Sequence, residues 1–452
     1  MIVIAAALRA SVVVALCCMA AGSAETAALA VPGDLDPSFA GDGTLITHAM
    51  SVDALAIQRD GRIVIGGGSV SHGRARFALA RYRADGTLDR SFGDDGEVTT
   101  AFPDRQCVVI DALKIQRDGR IVAAGRSGCS AGRFAVARYL ASGRLDRSFS
   151  RDGRVTTSFG STCRFSEAHG LAIQPEGSIV VAGGAGCSRQ GRLVVTFALA
   201  RYTRRGRLDS TFATDGRRTT DVTPQFDQAN DVVVQSDGRI VAVGTAAMET
   251  DSEAFALARY LPDGRLDATF GTGGKVRTLF TGDQDCSPAQ GDAAALQADG
   301  RIVAAGMTGC GHPNFALARY LPDGSLDASF GGDGKVATIF APGDCSDAAK
   351  DVAIQPDGRI VAAGVAGCGD PHPRFAIARY AANGTLDAGF GTGGKVATPI
   401  RAGGERCFEQ INAVAVQRDG GIVAAGVAAC GSGDTSAVAR YVGGPPRPGP
   451  AG

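Results

Sequence analysis

Between residues 33 and 444, short apolar runs alternate with polar breaks, and no stretch keeps the three-to-four-residue apolar spacing of an amphipathic helix. One segment shows the scheme. Runs at 335–340, 351–355, 359–364 and 375–380 read as four strands, with Pro356-Asp357-Gly358 after the second and Ala382-Asn383-Gly384 after the fourth. Asp-Gly and Asn-Gly supply the positive φ angles that tight hairpins need. Four strands joined in this way predict an antiparallel meander.

The scheme recurs seven times. A string Gln-x-Asp-Gly-Arg-Ile-Val places its glutamine at Gln58, Gln116, Gln174, Gln235, Gln297, Gln355 and Gln417, about 60 residues apart. A second string, Phe-Ala-Leu-Ala-Arg-Tyr, ends in Tyr82, Tyr139, Tyr202, Tyr260, Tyr320, Tyr380 and Tyr441, which are all seven tyrosines of the chain. A third, Leu-Asp-x-Ser-Phe-Gly-x-x-Gly-Lys-Val, carries Asp36, Asp89, Asp146, Asp209, Asp267, Asp327 and Asp387. Units at 33–86, 87–143, 144–206, 207–264, 265–324, 325–384 and 385–444 fill a single domain over 31–444. Repeated four-stranded units predict an all-β fold, a seven-bladed β-propeller with four antiparallel strands per blade. A solenoid would use shorter repeats. The Ala/Val-rich run before each Gln, such as 293–295, suits the crowded innermost strand, and the run after Leu-Asp-x-Ser-Phe suits the outermost. On this phase the strand near 44–47 completes the last blade, closing the ring and removing two open sheet edges.

These three strings together resemble the delta-60 repeat family of bacterial, mostly extracytoplasmic, propeller-like proteins. The resemblance spans all seven units and implies the fold and the compartment; it implies no general activity. Two local departures stand in the seventh unit: Ser436 replaces the phenylalanine, and Gly421 replaces the arginine after Asp-Gly.

Cysteines form a second pattern on the first. Outside Cys17 and Cys18 they fall two per unit: Cys107 with Cys129, Cys163 with Cys187, Cys286 with Cys310, Cys345 with Cys368, and Cys407 with Cys430. The first of each pair precedes the inner strand and the second follows the next strand, so both emerge at the open end of one hairpin. The first and fourth units lack both members, and no single cysteine is left over, as expected of disulfides in an oxidising compartment. Each loop would contribute roughly 3 kcal/mol in the chain-entropy model. Zinc is disfavoured because Cys-x-x-Cys spacing is absent.

At the start, Arg9, an apolar run over 10–21 and small residues around Ala24 and Ala30 read as a secretory signal peptide over 1–30, with cleavage after one of those alanines. Leu16 before Cys17 argues against a lipoprotein signal. No later run approaches transmembrane length. The mature protein is therefore expected to be secreted or periplasmic, with a disordered Pro/Gly-rich tail at 445–452.

Forty-six basic and 46 acidic side chains cancel, so no basic excess exists for nucleic acid or anionic membranes. The absence of Trp excludes sugar sites built on Trp platforms and disfavours quinone-cofactor dehydrogenases. The repeated Asp, Gln and Arg-Tyr positions read as a structural network, because seven equal catalytic centres are implausible. No Gly-x-Ser-x-Gly elbow occurs, and the Gly-rich turns precede strands rather than phosphate-binding helices. The five histidines, His48, His72, His169, His312 and His372, read as loop residues; His312 and His372 share a repeat position. Calcium is a minor alternative, with the acidic loops of the fourth unit (Asp221, Asp227, Glu249, Asp251 and Glu253) as its best place. No other cofactor is expected.

Loops that vary most in length are those carrying the cysteines, so this rim is the expected binding face, with Arg164, Gln190, His312, His372, Asp227 and Asp251 as candidate contacts. The leading expectation is a non-enzymatic scaffold that presents stapled rim loops to a protein or polysaccharide. The alternatives are a structural envelope component and a hydrolase or lyase with its site in the ring mouth.

Overall fold

The computed structural model describes residues 30–47, 50–103, 106–189, 191–248, 252–280, 288–309, 311–341, 346–367, 373–400, 407–430 and 435–444. The signal-peptide and tail assignments lie outside these residues, apart from Ala30. The described strands form seven four-stranded antiparallel sheets. In the second blade the strands run, from the axis outward, Val109–Ile115, Ile121–Ser127, Arg133–Tyr139 and Arg154–Thr157. Innermost strands of successive blades touch all the way round, the first blade meeting the seventh, so the ring is closed.

Ring closure follows the phase expected from sequence. The strand Thr44–Thr47 pairs not with its own unit but with Ser436–Ala439 of the seventh blade. The segment before it docks as well: Gly33 donates to the Val442 carbonyl and Asp36 to the Arg440 carbonyl, at 2.8 and 2.9 Å.

The repeat strings have direct packing meanings. Each blade lies between two others, so its second and third strands are buried on both faces and read as continuous apolar runs. Within Phe-Ala-Leu-Ala, Phe77 and Leu79 face the second blade while Ala78 and Ala80 face the seventh. Against Phe77 and Leu79 lie Ala135 and Ala137 of the second blade. Large residues of one sheet therefore meet the flat alanine face of the next, and the core is divided among the inter-blade gaps. The terminal tyrosine crosses the same gap: Tyr139 Oη donates to Thr100 Oγ1 at 2.9 Å and Tyr202 Oη to Thr157 Oγ1 at 2.7 Å.

On the rim opposite the cysteines, the Arg-Asp positions form the expected network. Arg81 Nε donates to Asp89 Oδ2 at 2.9 Å, its Nη1 reaches the Ala141 carbonyl of the next blade, and its guanidinium lies 4.6 Å from the Phe92 ring centre. Asp89 Oδ1 accepts from Ser91 Oγ at 2.6 Å and from the Ser91 amide. Equivalent contacts surround Arg138, Arg201, Arg259 and Arg319. In the seventh blade Arg440 takes Asp36 from the start of the chain at 2.6 Å.

Candidate functional site

Two regions stand apart from this repeated scaffold, the cysteine-bearing rim and the axial channel. On the rim, Cys107–Cys129 and Cys163–Cys187 are disulfides, with Cα–Cα distances of 5.1 and 3.7 Å. Cys407 is disulfide-bonded, and Cys430 is its register partner across the hairpin. Cys286, Cys310, Cys345 and Cys368 lie outside the described residues. Bonded cysteines suit an oxidising, extracytoplasmic setting. Among the described residues no helix is long and apolar enough to cross a membrane.

The rim candidates separate. Arg164 is exposed beside Cys163, and His312 lies in the loop of the fifth blade. Gln190, His372, Glu249 and Asp251 lie outside the described residues. Asp227 is a correction. It is fully buried, and its carboxylate accepts hydrogen bonds from the Val222 and Thr223 amides and from Thr223 Oγ1. It ties down the loop of a blade that has no disulfide and offers no oxygens to a rim ligand. Asp347 and Glu409, at the same repeat position, accept from the Phe340 and Ile400 amides.

Apolar exposure was not anticipated at this rim. Among the described residues, the exposed large hydrophobic side chains Val70, Leu193, Phe226, Leu279, Ile339 and Phe408 lie on it, and Val31 lies elsewhere. Leu193 and Phe226, 48% and 42% exposed, share a groove of about 480 Å³ between the third and fourth blades, with Met248, Pro288, Arg192 and Glu253. Arg192 Nη2 donates to Gln225 Oε1 at 3.1 Å and joins the two walls.

The axial channel is built by a β-bulge. Within each innermost strand of the second to seventh blades the register slips by one residue, at Asp111, His169, Asn230, Asp292, Lys350 and Asn412. A bulge re-aims its extra side chain, and these residues line a small axial cavity together with Asp53 at the same position of the first unit. The bulge brings backbone against backbone. A Cβ on Gly306 would stand 1.9 Å from the Gln290 carbonyl oxygen, and every blade carries a glycine at this position. That is why the repeated Ile-Val-x-Ala-Gly ends in glycine. His169 is thereby a second correction: it is a strand residue at the channel, not a loop histidine.

The cavity is about 120 Å³, also lined by Lys114, Asp231 and Asp351. Its electrostatics are uneven. Burial and the Asp231 charge push Asp351 up to about 7, against hydrogen bonds from the Val414 and Val352 amides and the Lys114 charge. Burial, with the charges of Asp53 and Glu167, drives Asp111 well above the usual carboxylate range, opposed by Arg126. Burial, with the Arg126 charge, lowers His169 to about 4, so it is neutral near pH 7, and its Nε2 lies 3.1 Å from Gln228 Nε2. Among the described residues no three His, Cys, Asp or Glu side chains converge as a ready-made metal site. Sequence reasoning missed this ring, although a signal was present: the fifth residue before each Gln is polar in all seven units.

A family model described as a domain of unknown function (DUF5122) beta-propeller matches residues 58–92, 116–149, 235–270, 297–330 and 355–390. The unmatched third and seventh units are those that depart from Gln-x-Asp-Gly-Arg, with Glu176-Gly177-Ser178 and Asp419-Gly420-Gly421. No curated protein matches. Solved structures similar to the chain include polysaccharide lyase Uly1 (11% identity, TM-score 0.48, covering 87% of this chain and 90% of that one). The periplasmic gluconolactonase PpgL of Pseudomonas aeruginosa shows 14% identity and a TM-score of 0.44, covering 74% and 83%. Sqt1 from Chaetomium thermophilum shows 12% and 0.44, covering 92% and 100%. Likeness at this level says nothing about what this chain binds or does.

Proposed function

We propose that this protein is an extracytoplasmic, non-enzymatic binding propeller that docks a protein partner on its cysteine-bearing rim. The observation that carries the reading is the gathering of exposed apolar side chains there, with Leu193 and Phe226 in one groove. Leu193 and Phe226 are neighbours there, and contiguous apolar exposure marks interaction sites. Four of the six residues are aliphatic, which suits a protein surface better than the faces of sugar rings. Disulfides and the buried Asp227 hold the rim loops in place before binding, which lowers the ordering cost of association. The axial cavity, by contrast, is below the roughly 300–1,000 Å³ of ordinary small-molecule sites.

Immobilised, oxidised protein is to be offered soluble envelope proteins and, in parallel, envelope polysaccharides. A specific polypeptide should be retained, and the double variant Leu193→Ser/Phe226→Ser should weaken its binding about tenfold or more, about 1.4 kcal/mol. Val31→Ser, on the other rim, should leave it unchanged. Equal loss for both variants, or saturable binding to a polysaccharide alone, would sink the reading.

A further inference from the structure

The aspartates of the axial channel are not evenly provided for. Lys350 Nζ pairs with Asp292 Oδ2 at 3.2 Å. Arg126 Nη1 pairs with Glu167 Oε2 at 3.2 Å at the channel mouth. Asp231 and Asp351 each accept two backbone amides, from Val232 and Ala294 and from Val352 and Val414, and feel the Lys114 charge. Asp53 accepts from Ser51 Oγ at 3.1 Å and from Asn412 Nδ2 at 3.2 Å.

Asp111 is different. It sits on the bulge of the next blade, close enough to Asp53 for the two carboxylates to repel. Its Oδ2 is shut off from solvent and accepts no hydrogen bond from any described residue. Arg126 pairs with Glu167, although its charge still reaches both aspartates. The channel walls thus hold five aspartates against Lys114 and Lys350, with the Arg126–Glu167 pair balanced at the mouth and Glu253 held by Gln290. A carboxylate enclosed without partners is costly unless something positive joins it.

We propose that the axial channel binds a hard divalent cation of the calcium type between Asp53 and Asp111, at the channel wall shared by the first and second blades. Carboxylate oxygens suit such an ion, and calcium tolerates an irregular shell completed by water. The cavity of about 120 Å³ leaves room for the ion with a few of its waters, each needing about 30 Å³. Water in the shell is required, since no third acidic or imidazole side chain converges with these two among the described residues. The site is separate from the apolar rim groove, so the rim reading can fail without it.

The oxidised full chain, stripped with chelator, is to be titrated with calcium chloride and with magnesium chloride at constant ionic strength, followed by calorimetry and thermal melting. One calcium should bind per chain and raise the melting point by a few degrees in a dose-dependent way. Asp111→Asn, which keeps the shape and removes the charge, should weaken binding at least about tenfold, as should Asp53→Asn. In metal-free buffer near pH 8, Asp111→Asn should melt no lower than the unmodified protein, which separates lost binding from lost folding. Asp95→Asn, exposed on the opposite rim, should bind as the parent does. The absence of both binding heat and a melting shift with either metal would overturn the proposal, and so would undiminished binding in both channel variants.

Discussion

Compare the aspartates of the smooth rim with those of the axial channel. Asp89 and Asp327 repeat one environment: each has serine donors on one oxygen and buried arginine on the other. Burial alone would raise them, yet the Ser hydrogen bonds, with the Arg81 and Arg62 charges beside Asp89 and the Arg319 charge and Arg301 hydrogen bond beside Asp327, hold both at about 2. In the channel, Asp53, Asp111, Asp231, Asp292 and Asp351 move the other way. Identity also differs. The rim position is Asp in every unit, while the bulge position is Asp, His, Asn or Lys. A repeat position kept identical serves the joint between blades. A position kept polar but varied is free to differ round the ring, and there individuality can be built.

The largest test of this contrast lies on the smooth rim. Asp327→Ala strips the partner from the buried Arg319, leaving an uncompensated charge between blades, and should cost about 3–5 kcal/mol by denaturant unfolding. A loss below about 1 kcal/mol would make the repeated pair dispensable. Next comes the scaffold of the channel. Gly306→Ala drives a Cβ into the Gln290 carbonyl oxygen and should cost about 1–3 kcal/mol. If it costs nothing, the bulge is not what requires the glycine.

The smallest and most diagnostic effect is on pH dependence in metal-free buffer. Rim carboxylates have folded pKa values below the unfolded value, so their stabilisation is present above about pH 4 and is lost as pH falls through 2. Asp351 is raised to about 7, so the native state binds its proton more tightly, and stability is lost as pH rises from about 4 through 7. His169, lowered to about 4, opposes this by losing stability as pH falls from 6.5 towards 4. Melting points across the range should therefore decline on both sides. Asp327→Asn should flatten the acid limb and Asp351→Asn the alkaline one; limbs insensitive to both would erase the distinction.

Much of the rim was legible beforehand, because repetition amplifies it. Seven copies of Arg-Tyr and Leu-Asp-x-Ser-Phe announce a joint, and cysteines spaced across one hairpin announce a staple. The blade phase was readable too, down to Thr44–Thr47 closing the last sheet. The channel was obscured because its seven positions share polarity rather than identity, and because a bulge is a property of register that one strand's sequence does not display. His169 was misread for that reason. Asp227 was misread for another: an acidic residue in a loop looks like an offered ligand until the amides it accepts from are seen.

The closing strand also sets an order of events. Thr44–Thr47 lies about 390 residues before its partner Ser436–Tyr441, so this pairing joins segments from opposite sides of the repeat array. The other blades can form from neighbouring segments, but the last sheet has to wait until the first and seventh units are both present. A chain lacking the strands of the seventh unit would hold six complete blades and an orphaned first strand. That unpaired edge would tell cellular proteases a truncated copy from a finished one.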